Sequence, residues 1–156
     1  MKLTDLVCPE AILIELNANE RDDVIKELVI SLGKAGKIAE NDVESVIEAV
    51  ISRENEASTG IGKGVAVPHV KTNKVAAPVA AFGLCPDGLD FSSLDKQPVY
   101  SIFLLISPDD AADAHISAME VIFKNLQKDD FRSFLKQAKK VDDVVSLLKE
   151  ADSDEI

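Results

Sequence analysis

The sequence predicts an α/β fold, a single domain in which a small mixed β-sheet is flanked by helices. Three observations carry this. A chain of 156 residues with 46% hydrophobic content has room for one real core. Aromatic residues make up only 4% and tryptophan is absent, so Val, Ile, Leu and Ala must fill that core, as layered α/β packing allows. Segments with helical periodicity also alternate with short β-branched runs.

In chain order, Ala11 to Leu16 reads as a short strand closed by the punctuation at Asn17 to Asn19. Asn19 is then placed to cap a helix whose apolar face is Val24, Ile25, Leu28, Val29 and Leu32. Asp22 and Asp23 lie in its first turn, where the dipole favours them, and Gly33 and Gly36 end it. Asn41 with Glu44 approximates a capping box that opens a second helix, so the two form a hairpin. Val65 to Val67 is a brief strand, and Val75 to Leu84 a longer one whose Pro78 marks an edge or a bulge. Pro86-Asp87-Gly88 reads as a turn.

Val99 to Ile106 (VYSIFLLI) is the strongest strand, nearly continuous in apolar content and therefore predicted to be central with both faces covered. A helix from about Ala111 to Leu126 follows, with His115, Met119, Ile122, Phe123 and Leu126 on one face. Two shorter helical patterns run through Phe131, Phe134 and Leu135, and through Val141, Val144, Val145 and Leu148. Residues 1–150 thus form the domain, and the acidic, aperiodic stretch 151–156 is expected to fray.

The segment Ser52 to Lys71, SRENEASTGIGKGVAVPHVK, concentrates chemistry. It holds three of the seven glycines, Gly60, Gly62 and Gly64, and one of the two histidines, His69, directly after Pro68. Closely spaced glycines let backbone approach a ligand and offer N–H groups that suit an anion, phosphate above all when a histidine stands beside them. Arg53 continues the Val46, Val50 series and is predicted to point inward at the last turn of its helix, where the dipole favours a cation. Its partner is left open between Glu54 and an incoming phosphate. GIGKG is neither common nucleotide motif: a P-loop needs a Lys-Ser/Thr pair after its final glycine, whereas Gly64 is followed by Val65, and the evenly spaced glycines follow a helix instead of a strand.

The run RENEASTGIGKGVAVPH resembles the signature of enzyme IIA of the bacterial phosphoenolpyruvate-dependent phosphotransferase system, in its fructose/mannitol and nitrogen-related class. The resemblance extends from the first helix pair to His115, and departs at Ser52, where the family usually has an acidic residue. It implies that His69 carries a phosphoryl group, with Arg53 and His115 nearby. The group would come from the phosphocarrier protein HPr, or a nitrogen-branch paralogue, and pass to a cysteine on an enzyme IIB. Neither Cys8 nor Cys85 lies in a neighbourhood like that of a IIB cysteine, so a stand-alone enzyme IIA is expected, with no metal or organic cofactor.

Phosphoryl transfer needs a nucleophile, in-line geometry and donors around three equatorial oxygens. Neutral imidazole is a fair nucleophile near pH 7, which suits His69. Arg53 would neutralise phosphate charge, while Ser58, Thr59 and the backbone of Gly60, Gly62 and Gly64 are the candidate phosphate-binding donors. A histidine on an apolar helical stripe is ordinarily a core residue; the resemblance makes His115 a second active-site ring that bonds phosphate oxygens or tunes His69. Two other readings stand beside the carrier. One is a regulatory enzyme IIA whose phosphorylation state controls partner binding without sugar transfer. The other is a metal-dependent hydrolase using both histidines with Asp109 or Asp113, which lacks HxH or HExxH spacing.

A formal charge of −11, with 28 acidic against 17 basic residues and no basic cluster, makes nucleic acid a poor partner. No apolar stretch approaches the ~18 residues of a membrane span and the first residues lack a signal-peptide core, so a cytoplasmic protein is expected.

Overall fold

The computed structural model describes all 156 residues as one three-layer unit. The elements are α1 (Leu3–Leu6), β1 (Val7–Leu13), α2 (Arg21–Lys34), α3 (Val43–Glu56), β2 (Gly60–Gly62), β3 (Val65–Ala66), β4 (His69–Thr72), β5 (Val79–Leu89), β6 (Val99–Pro108), α4 (Ala112–Leu126), α5 (Asp129–Gln137) and α6 (Val141–Asp152). The sheet runs β1-β5-β6-β3-β2, with β4 also paired to β6. β6 is antiparallel to β5 and parallel to β3 and β4, so the sheet is mixed and its most apolar strand sits at the centre.

Strand side chains alternate between faces, and β6 uses both. Phe103 and Leu105 join a core with α1, α4, α5 and α6, whereas Ile102, Leu104 and Ile106 join a second core with α2 and α3. The predicted face of α2, from Val24 to Leu32, is fully buried in that second core.

Local boundaries differ from the sequence reading for identifiable reasons. β1 begins at Val7 and accommodates Pro9, because it is an edge strand whose register with β5 shifts between Val7 and Ile12. The N-cap of α2 is Glu20 instead of Asn19, and no side chain caps it. Asn41 falls in a 3₁₀ turn, Glu40–Asp42, and Asp42 takes the cap position of α3. Pro86 to Gly88 do not reverse the chain: they bulge out of β5, where the five-residue step from Leu84 to Leu89 is matched by only two residues on β6. Gly88, at φ 83°, supplies the left-handed residue this bulge requires. Phe134, expected on an apolar face, is 48% exposed.

The stretch expected to fray is instead tied down at its start. Ala151 is buried, and the Asp152 carboxylate accepts hydrogen bonds from Leu3 N–H (2.6 Å), Thr4 N–H (3.0 Å) and Thr4 Oγ1 (2.7 Å). Further on, the Ile156 carbonyl accepts from Lys128 Nζ at 2.8 Å.

Candidate active site

His69 opens β4, directly after the Pro68 that stiffens the step out of β3. Leu105 N–H donates to the Pro68 carbonyl at 2.9 Å, and β4 then runs parallel to β6 with His69 opposite Leu105. The half-buried ring lies 2.8 Å through Nδ1 from the Val67 carbonyl oxygen. A carbonyl only accepts, so Nδ1 carries the proton and the neutral ring keeps its lone pair on Nε2.

His115 sits in the first turn of α4 with its ring centroid 5.7 Å from that of His69 and the planes tilted by 43°. Its Nδ1 is 2.8 Å from Oγ of Ser107, a fully buried residue near the end of β6. Burial chiefly lowers the pKa of His115 from its ordinary 6.5, and the neighbouring His69 and Lys71 push it in the same direction. Lys71 is two residues beyond His69 and therefore on the same face of β4, opposite Ser107. Near pH 7 His115 is a neutral ring beside a second imidazole.

Arg53 is half-buried at the end of α3, where its Nη1 donates to the Ala57 carbonyl at 2.9 Å. The inward position belongs to Glu54, which is 2% exposed and follows Ile47 and Val50 at i+7 and i+4. Glu54 is not the arginine's partner. Its Oε2 accepts from Thr59 N–H at 2.7 Å and its Oε1 from Thr59 Oγ1 at 2.6 Å.

The expected phosphate cradle is likewise occupied by the protein itself. Ser58 Oγ donates to the Phe91 carbonyl (2.7 Å) and accepts from Gly60 N–H (3.0 Å), so the hydroxyls of Ser58 and Thr59 and the N–H groups of Thr59 and Gly60 are engaged. Gly62 and Gly64 shape the β2–β3 hairpin around Lys63, with φ of 96°, 78° and 59° respectively. That hairpin lies beside Tyr100 and Ser101, four residues up β6 from the position opposite His69, or roughly 13 Å at 3.3 Å per residue. The glycine hairpin thus lies apart from the two histidine rings, which stand 5.7 Å from each other. Asp109 and Asp113 are exposed, and nowhere do three His, Cys, Asp or Glu side chains gather as metal ligands would.

Ser107, Lys71 and the Val67 carbonyl, which stand beside the two histidines, were not legible in the sequence, and Glu54 was legible only as a possible partner of Arg53. Ser107 had a faint signal, a lone hydroxyl ending an apolar strand, and Glu54 had the same helical spacing that was assigned to Arg53.

The family model described as phosphoenolpyruvate-dependent sugar phosphotransferase system, EIIA 2, matches residues 5–151. The chain belongs to this family. Among EIIA 2 relatives, the "PTS system fructose-specific EIIABC component" of Bacillus subtilis is 36% identical over 152 residues, 97% of this chain and 24% of that protein. The "Nitrogen regulatory protein" of Bradyrhizobium diazoefficiens is 34% identical over 148 residues, 95% of each chain. The chain therefore spans about a quarter of the first relative and nearly all of the second. The crystal structure of nitrogen regulatory protein IIA-Ntr from Neisseria meningitidis superposes with a TM-score of 0.83 at 23% identity, covering 94% of this chain and 98% of that one, which establishes the shared fold. No helix of this EIIA 2 chain is long and apolar enough to cross a membrane.

Proposed function

We propose that the chain is a phosphocarrier that accepts a phosphoryl group from an HPr-like phosphocarrier protein on Nε2 of His69 and passes it to a cysteine of an enzyme IIB. The observation that carries this reading is the 2.8 Å bond from His69 Nδ1 to the Val67 carbonyl, which leaves Nε2 unprotonated. The Nε2 lone pair forms the new N–P bond while the donor's bond to phosphorus breaks. In the second step the thiolate of the acceptor attacks phosphorus and the imidazole leaves with its pair restored. His115, held neutral next to His69, takes up a proton as phosphate charge arrives and then donates a hydrogen bond to a phosphate oxygen. Arg53 makes no ion pair with a carboxylate; α3 packs against β4, and its planar fork suits a dianion bound there.

A regulatory role, in which phosphorylation of His69 alters the affinity for a partner, is favoured by the relative named a nitrogen regulatory protein, which matches 95% of both chains. A partner transmits such a signal only if it binds one form better than the other.

Incubation with phosphoenolpyruvate, enzyme I and HPr is expected to give one acid-labile, alkali-stable phosphate per chain, absent from His69→Ala. Equal labelling of that variant would refute the assignment of His69. Rapid discharge to a purified IIB domain supports the carrier, whereas phosphorylation-dependent capture of a partner without discharge supports the regulator.

A further inference from the structure

Helix α3 ends with a charged side chain in a place where an apolar one would serve packing. Ile47 and Val50 are buried on its inner stripe, and the next position on that stripe is Glu54, 2% exposed. A buried carboxylate is costly unless its oxygens are bonded. Both oxygens of Glu54 are bonded, and to a single residue: one takes Thr59 N–H and the other Thr59 Oγ1. Two bonds to one residue fix its rotation as well as its position.

From Thr59 the contact continues to the reacting ring. The Thr59 carbonyl accepts from Val67 N–H at 3.1 Å, and the Val67 carbonyl accepts from His69 Nδ1 at 2.8 Å. Val67 is fully buried, and the proline after it limits its backbone to extended conformations. Every link between the Glu54 carboxylate and the imidazole is therefore a hydrogen bond or a restrained peptide.

We propose that Glu54 is a positioning residue for His69, acting through Thr59 and Val67 to hold the carbonyl that keeps the proton on Nδ1 and the lone pair on Nε2. The proposal rests on the phosphocarrier reading for its effect on transfer. Its structural claim, the protonated nitrogen of His69, is readable without any transfer. Releasing Thr59 frees β2 to shift against β3, and with it the Val67 carbonyl. A displacement of about 1 Å at a reacting centre is enough to cost on the order of a hundredfold in rate.

The test uses the full chain with ¹⁵N-labelled histidine, the ring-nitrogen spectrum recorded where His69 is neutral, and the rate of phosphorylation by phospho-HPr. Wild type is expected to show the Nδ1–H form. Glu54→Ala is expected to lose that preference and to accept phosphate roughly ten- to a hundredfold more slowly, by analogy with the loss of a partner behind a metal-bound imidazole. Thr59→Val, which keeps the N–H and loses the hydroxyl, is expected to fall between the two. Glu54→Gln is expected to behave like wild type, since its carboxamide oxygen accepts from Thr59 N–H and its amide donates to Thr59 Oγ1. A folded Glu54→Ala with wild-type ring-nitrogen signals overturns the proposal, as does a Glu54→Gln as impaired as the alanine variant. If Glu54→Ala does not fold, Thr59→Val decides by the same two readouts. A wild-type protein that shows the Nδ1–H form but takes no phosphate would refute the phosphocarrier reading and leave the positional claim standing.

Discussion

Phosphorylating His69 is expected to convert His115 from a neutral ring to a cation at neutral pH. In the unmodified protein its pKa lies below 6.5, because of burial first and of His69 and Lys71 next. A phosphoryl group brings a charge of about −1.5 to −2. The ring centroids are 5.7 Å apart; at that separation a unit charge contributes about 3 kcal/mol in an effective dielectric of ~20 and about 0.7 kcal/mol in water. His115 is half-buried and falls between these limits. At about 1.4 kcal/mol per pH unit, its midpoint should rise by roughly one to three pH units. The pH dependence of stability should reverse with it. While the folded pKa is depressed, the contribution of His115 is complete above 6.5 and is lost as pH falls through the folded value. Once the folded pKa is raised, the contribution is complete below 6.5 and is lost as pH rises through the new value. Ring-nitrogen NMR titration of protein phosphorylated with phosphoramidate, together with thermal melts from pH 5 to 8, reads both effects. A His115 midpoint that stays put or falls would refute the reasoning.

Two substitutions away from the histidines should separate scaffold from chemistry. Gly64→Ala puts a Cβ 3.1 Å from the Tyr100 ring at φ 78°, and should lower stability by about 1–2 kcal/mol in urea melts while phosphorylation is unchanged; a slowed transfer would contradict the distance assigned between hairpin and site. Asp152→Ala removes three hydrogen bonds to Leu3 and Thr4 and should cost about 2 kcal/mol, with lost hydrogen-exchange protection confined first to those two amides.

What the residue pattern disclosed was whatever depends on periodicity along one segment. The run Val99 to Ile106 is central because its apolar content is nearly continuous, and all of it but Tyr100 is buried; the α2 stripe is buried because 3.6-residue spacing places it so. The paired histidines were legible through the motif around Pro68 and its resemblance to a family. What remained hidden depends on partners distant in sequence or on one helical residue against the next. Arg53 and Glu54 both extend the same stripe; the donors of Thr59, five residues past Glu54, decide which turns inward. Ser58 and Gly60 offered donors that suited phosphate, but the Phe91 carbonyl, 33 residues away from Ser58, already holds that hydroxyl. Pro86 to Gly88 carry a true turn signal, which the sheet absorbs as a bulge because Leu89 rejoins β6. Asp152 looked like one more acid in an acidic tail until residues 3 and 4 were brought to it.

That carboxylate has a consequence for how the fold can be handled. By clasping the turn that begins the chain to the last turn of α6, it makes the polypeptide a nearly closed loop. A flexible linker leaving from either side starts at the same patch, so appended segments swing from one pivot and exert little leverage on the sheet. The same closure marks the fold as a candidate for circular permutation, since the first turn and the last helix already meet at one patch of the surface, away from the His69–His115 pair on β4 and α4.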